Sequence, residues 1–368
     1  MDGSGSPASS RLAPMTIPTE PIGSIPRPKE LLLALRQHAA ARITAETLEK
    51  EYDDAVQDTI KRFEATGSPM ITDGEQRKSS FATYPLEGLH SLAGDGVLIP
   101  FKDGHTRQLP RLTSGPFHYG KYSGEYVRRA IPYSRRPLKQ AVISASALSL
   151  LYPAGGIERY PRARFIDDLI EEAAADISSA LAAGAEIVQI DFTEGRLSLK
   201  LDPSGGLLSS FVDLNNRVLD RFNAADRARI GVHVCPGGDH DSTHSADVDY
   251  AGLLPALFAT HAGRFYLQLA SEADRPRVLK LISELMNGEQ KIFVGVIDPI
   301  SAQVETPEVV CERVLEAARF LPLDQLGTTD DCGFSPFADD ESTARDLAFA
   351  KIRARVEGTA MAASRLGV

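Results

Sequence analysis

His233 and Cys235 stand two positions apart in the run IGVHVC, and Cys332 closes the run DQLGTTDDC much further along the chain. Side chains at i and i+2 of a strand leave it on the same face, so the imidazole and the first thiol point together. Imidazole and thiolate are good zinc ligands, and a catalytic zinc takes three protein ligands and keeps one position open. The spacing is not that of a zinc finger, because the second cysteine comes from a distant segment. The same residues also read as a packed core histidine and two buried cysteine fillers. Cys311 illustrates that second reading: it falls within the apolar pattern of VVCERVLEAARF and is assigned to packing.

Eight short apolar runs recur along the chain, and helical patterns follow most of them. They are PTEPIGS (18–24), SPMITDG (68–74), LKQAVISAS (138–146), AEIVQID (185–191), RIGVHVC (229–235), RFYLQLA (264–270), KIFVGVI (291–297) and DQLGTTDDC (324–332). The helices carry start and stop signals: Pro28 before KELLLALRQ, a Thr44 cap with Gly67 at the far end, Gly184 closing RARFIDDLIEEAAADISSALAAG, and Thr306 followed by Pro307. Alternation of this kind predicts an α/β fold, a (β/α)8 TIM barrel in one domain over 16–368, with a doubly wound open sheet as the alternative. The stretch 82–137 breaks the rhythm with turn signals and hairpin character. It is expected to be a long insertion after the second strand, walling the catalytic rim. In such a barrel the functional residues sit at the C-terminal strand ends. Those ends supply Ser24, Asp73, Glu75, Ser144, Ser146, Asp191, Glu194, His233, Cys235, Gln268, Asp298 and Cys332.

Composition bounds the partners. The 368 residues carry 40 Lys+Arg against 50 Asp+Glu, a formal charge of −10, with no long basic run, which argues against nucleic acid. No run approaches the roughly 18 apolar residues of a membrane span. Three cysteines are too few for a disulfide scaffold, and a reducing, cytoplasmic compartment is expected. Residues 1–15, rich in Gly, Ser and Pro, read as a disordered leader.

HVC after one strand and DDCGF after the last resemble the catalytic domain of cobalamin-independent methionine synthase. PIGSIPRP, ITDGEQRKSSF and VQIDFTEG resemble, in order, that family's first, second and fourth strand-end loops. The resemblance runs from about residue 16 to 366, and the single-barrel relatives are the better match in length. It implies zinc held by His233, Cys235 and Cys332, and transfer of a methyl or alkyl group to a thiol such as homocysteine through a zinc-bound thiolate. It also implies that Ser24, Glu75 and Asp191 hold the amino-acid thiol. Two carboxylates suit an ammonium, through charge-assisted hydrogen bonds.

The sequence departs from the family pattern in three places. Gln268 stands where the family supplies a glutamate zinc ligand; it is the expected fourth ligand here, with Glu272 as the substitute if the strand continues. The chain has no tryptophan on which a methylfolate could stack, and Tyr152 is the aromatic nearest that place. The donor is therefore open between methylfolate and a methylated corrinoid carrier. Finally, GGDHDSTHSADVDY brings His240 and His244 close behind Cys235. A loop is expected there, with His240 or His244 as a proton donor above the metal and His240 and Asp191 assigned to the catalytic machinery; a second metal site is the alternative. A zinc-dependent lyase or hydrolase on the same barrel is the competing function, and a metal-free binding protein is the third.

Overall fold

The computed structural model describes residues 16–368. The stretch read as a leader lies outside the described residues. Six parallel strands lie side by side in chain order: β1 (Lys139–Ile143), β2 (Ile187–Asp191), β3 (Ile230–Val234), β4 (Arg264–Leu267), β5 (Lys291–Ile297) and β6 (Leu326–Asp330). The first two apolar runs complete the cylinder with single bridges instead of ladders. Thr19 pairs in parallel with Thr328 of β6, and Ile71 with Leu138 at the start of β1. They meet each other where the Ile25 N–H donates to the Gly74 carbonyl (3.0 Å) and the Thr72 hydroxyl to that of Gly23 (2.7 Å). Proline is the reason these two are not regular strands. Pro18 and Pro21 flank the Thr19 bridge and Pro69 precedes Ile71, and each lacks the N–H a ladder needs. The protein is a (β/α)8 barrel of which six staves are regular strands.

Buried Val, Ile and Leu fill the strands because helices cover them outside. Val188, Val232, Phe265 and Ile292 join one apolar cluster with Ile177, Phe211 and Leu279 of the surrounding helices. The helix signals act as their chemistry requires. The Thr44 hydroxyl accepts from the Thr47 N–H and begins the helix Ala45–Ala65; Thr306 does the same through Val309 for Pro307–Ala317. Gly184, at φ +104, ends the helix run begun at Arg162.

The barrel interior is polar at its base. Lys139, fully buried, donates to the Pro21 carbonyl (2.8 Å) and lies 3.3 Å from the centroid of the Tyr266 ring. The Tyr266 hydroxyl (2.5 Å) and Arg264 (2.9 Å) both donate to Glu20. Burial pulls the Lys139 ammonium down to about 7, although Glu20 and Asp191 work against it.

The segment 82–137 carries two antiparallel pairs, Leu92–Ala93 with Arg111–Leu112 and Leu98–Pro100 with Thr106–Gln108, before the helix Gly124–Ala130. The hairpin 98–108 reaches across the top of the barrel. Its Lys102 N–H donates to the Thr243 carbonyl (3.0 Å), and Arg107 bonds both Asp239 (3.1 Å from Nη2) and Asp339 (2.9 Å).

Candidate active site

The C-terminal ends of the staves open into a cavity of about 480 Å³. His233 and Cys332 stand at its floor with Ser24, Glu75 and Asp191. Ile99, Phe101, Arg107 and Leu109 of the hairpin form one wall. His233, Cys235 and Cys332, all buried, converge so that one ligand atom from each lies within 4.8 Å of the others. The Cys235 and Cys332 sulfurs are 3.1 Å apart, well beyond the ~2.05 Å of a disulfide. His233 Nδ1 meets the Tyr266 carbonyl at 3.3 Å, which makes Nδ1 the protonated nitrogen. Nε2 is buried with no partner, so its lone pair is directed at the two sulfurs. An orphaned imidazole nitrogen beside two free thiols is a donor set that fits a zinc ion. In their mutual contact the Cys235 thiol pulls Cys332 toward thiolate, with help from His233, and is itself pushed up.

The second cysteine is fixed by its neighbour. Asp331 Oδ1 accepts the N–H groups of Leu269 and Ala270, and Oδ2 accepts the N–H and hydroxyl of Ser271, at 2.7–2.8 Å. This carboxylate ties the end of β4 to the end of β6 and sets Cys332 opposite β3. Asp331 is not among the strand-end candidates, and the doubled acid of DDC is its only signal in the sequence.

The three residues expected to hold a substrate come together from three different staves. Ser24 is locked by the loop after β6: its hydroxyl accepts from the Ser335 N–H (3.2 Å), and its carbonyl from the Phe334 N–H (3.0 Å). Glu75 has φ +57, a left-handed conformation held by its N–H donating to Asp73 (2.8 Å) and by the buried Lys78 ammonium on Oε1 (2.8 Å). Arg27 binds these loops into one unit, donating to the carbonyls of Glu75 (3.0 Å), Lys78 (2.7 Å), Ser335 (3.3 Å) and Phe337 (3.1 Å). Asp191 ends β2 beside His233 and accepts from Gln189 (2.7 Å). Burial raises Asp191 to about 7; His233 opposes the rise and Glu75 adds to it.

Other expected residues lie elsewhere. Both polar ends of Gln268 are engaged: its carbonyl accepts from Arg196 (2.8 Å) and its amide donates to Ser271 (2.7 Å). Glu272 is paired with the same guanidinium at 3.1 Å and is not part of the His-Cys-Cys group. Arg196, buried and also bonded to the Val248 carbonyl, thus takes up both fourth-ligand candidates. Tyr152 does not line the cavity. It stacks on Phe165, its hydroxyl donates to the Tyr160 carbonyl (2.7 Å), and it borders a separate surface hollow. The short helix Ala145–Ser149 after β1 carries the chain outward before Tyr152 is reached.

His240 is also away from the cavity. The run GDHDST is a tight hairpin whose central residues, His240 and Asp241, have φ +46 and +56, as a mirror-image turn requires. At that tip His240 Nε2 faces Arg107 (3.1 Å) outside the chamber. His240 does group with Asp239 and Asp340, but Arg107 already supplies the cation there. Of the two histidines in this run, His244 lines the chamber, buried against Phe101 and held near 4 by burial and by Lys200 and Arg196. A second group without an assigned role is Glu194. Ser144 (2.6 Å) and Ser146 both donate to its Oε1, Oε2 has no partner, and burial raises it to about 7.

Fold and site together define a barrel enzyme with a group of soft, metal-competent side chains beside a polar cavity floor. Residues 147–355 match the family described as the catalytic domain of cobalamin-independent synthase, and the chain belongs to that family. It is an enzyme of the methyltransferase class. A methionine synthase of Sulfurisphaera tokodaii is 23% identical over 346 residues, 93% of this chain and 91% of that protein. One of Saccharolobus solfataricus is 24% identical over 347 residues, 93% and 94%. The structure of a B12-independent methionine synthase from Shewanella sp. W3-18-1, in complex with selenomethionine, has the same fold. It gives a TM-score of 0.75 at 19% identity, over 95% of this chain and 99% of that one. No helix of the described residues is long and apolar enough to cross a membrane.

Proposed function

We propose that this protein is a zinc-dependent methyltransferase whose acceptor is the thiol of a small amino acid such as homocysteine. One observation carries the reading: His233 and Cys332 of the His233–Cys235–Cys332 group line the same cavity as Ser24, Glu75 and Asp191. His233, Cys235 and Cys332 would hold the ion, which when bound supplies a Lewis-acid centre favouring the thiolate form of a sulfur. Glu75 and Asp191 receive the substrate ammonium, and Ser24 orients its carboxylate end. Lys78, 2.8 Å from its Oε1, holds Glu75 in place. The hairpin 98–108 excludes water from the reacting atoms. Neither Gln268 nor Glu272 serves as a ligand in this reading, so the ion has three protein ligands and one open position. The compartment is the cytoplasm.

A zinc-dependent lyase or hydrolase is the second reading. The engagement of Gln268 and Glu272 by Arg196 favours it, because an open position suits activation of water. The test is incubation of zinc-loaded protein with homocysteine and either methyltetrahydrofolate or methylcobalamin, followed by mass spectrometry. Methionine formed with one donor supports the methyltransferase. Cleavage of the thiol substrate, with no methylated product from any thiol, overturns it in favour of the second reading.

A further inference from the structure

We infer that His244 is the proton relay of this site: its Nε2 takes the proton of the substrate thiol and passes it to the departing donor group. The inference rests on the proposed thiol methylation and assigns a step that the other cavity residues do not serve. His233 and His244 are the two histidines lining the chamber, and His233 is oriented toward the cysteine sulfurs.

The tautomer of His244 follows from its partners. The Ser245 hydroxyl has one hydrogen, and it donates that hydrogen to the Pro236 carbonyl (3.1 Å). Ser245 Oγ therefore accepts from His244 Nδ1 (2.7 Å), which must carry the ring proton. Nε2 is left with a free lone pair and no protein partner among the described residues. Gly237 makes room for the ring. It sits at φ +69, and a Cβ there would overlap His244 Nε2. The Gly-Gly after Cys235 thus serves the histidine as well as the turn.

The charges facing His244 agree with a transient carrier. Lys200 donates to the His244 carbonyl (3.1 Å) and pairs with Asp247 (2.9 Å); Arg196 lies behind it, and Phe101 closes the other side. Burial and the two cations disfavour a lasting imidazolium, so a proton taken up is readily given away. Atoms balance without a further reagent. The thiol S–H breaks as the N–H forms, the sulfur pair attacks the methyl carbon, and the methyl–donor bond breaks with its pair on the donor. That donor atom then receives the proton from Nε2.

The experiment compares wild type with His244→Ala and Ser245→Ala in the thiol methylation assay, with metal content and melting temperature measured for each. For His244→Ala we expect kcat to fall by about 10²–10³-fold, the magnitude of a lost general acid–base, with the KM for the thiol little changed. Added imidazole should restore part of the rate, and the rescue should vary with the pKa of the imidazole used. Ser245→Ala, which frees the tautomer, should cost about tenfold in kcat, a modest part of that range. A folded, metal-loaded His244→Ala with wild-type kcat, or one whose loss no imidazole rescues, overturns the relay alone. If His244→Ala does not fold, an unchanged kcat in Ser245→Ala overturns it. A wild type that methylates no thiol overturns both the relay and the proposed function.

Discussion

At the scale of single residues, the account turns on how much each floor group is asked to do. Glu75 and Asp191 are assigned to the substrate ammonium, so Glu75→Gln should raise the KM for homocysteine about 10–100-fold, the worth of one charge-assisted hydrogen bond. Zinc content should stay near wild type, while the melting temperature falls because the buried Lys78 ammonium loses its carboxylate partner; a KM within threefold of wild type would remove Glu75 from the substrate. The metal-competent residues were legible in the sequence because residue type and strand parity together selected them, and HVC and DDC do converge. Gln268 and Tyr152 are engaged by other partners, and for a common reason this was not legible. Position along a strand does not reveal a partner from another loop, and Arg196 and Tyr160 are such partners. His240 and His244 are told apart only by the turn: two successive left-handed residues send one histidine out and return the other to the chamber.

At the scale of elements, the rim hairpin is the piece that makes an open barrel mouth into a chamber. Arg107 latches it to the loops after β3 and β6, through Asp239, which is buried, and Asp339. Arg107→Ala leaves the buried Asp239 carboxylate with two imidazoles beside it, His105 (3.0 Å) and His240 (3.9 Å), a loss on the order of 1–3 kcal/mol. Limited proteolysis should then cut within residues 94–109 faster than in wild type, while zinc content is retained; an unchanged cleavage rate would show that the latch does not hold the hairpin. The helices and six of the staves were readable from periodicity and caps. The first two staves were read as strands as well, but proline limits each to a single bridge. The insertion was legible as an interruption with hairpin character, but its docking on Asp239 and Asp339 was not, because those partners lie far away in the chain.

At the scale of the whole molecule, closure is what no local pattern announces. It rests on a few bonds between the first and last staves, and on a charged base that the apolar runs concealed. Lys139 is part of that base, and its folded value of about 7 lies below its ordinary value of 10.5. Between those two the unfolded chain binds a proton that the folded chain does not, so stability rises with pH across that window. The slope from this group is at most about 1.4 kcal/mol per pH unit. Denaturation midpoints measured at pH 7.5 and 9 should therefore increase for wild type relative to Lys139→Met, in which this contribution is absent. Equal pH dependence in the two proteins would mean that the ammonium stays charged in the barrel.

The central claim is the metal group, and its most direct test is metal analysis of the protein purified without added metal, beside Cys332→Ala, with both shown to be folded. The account predicts about one zinc per wild-type chain, as for a catalytic site with three protein ligands, and its loss in the variant. A folded wild type that stays metal-free after zinc is supplied would contradict it.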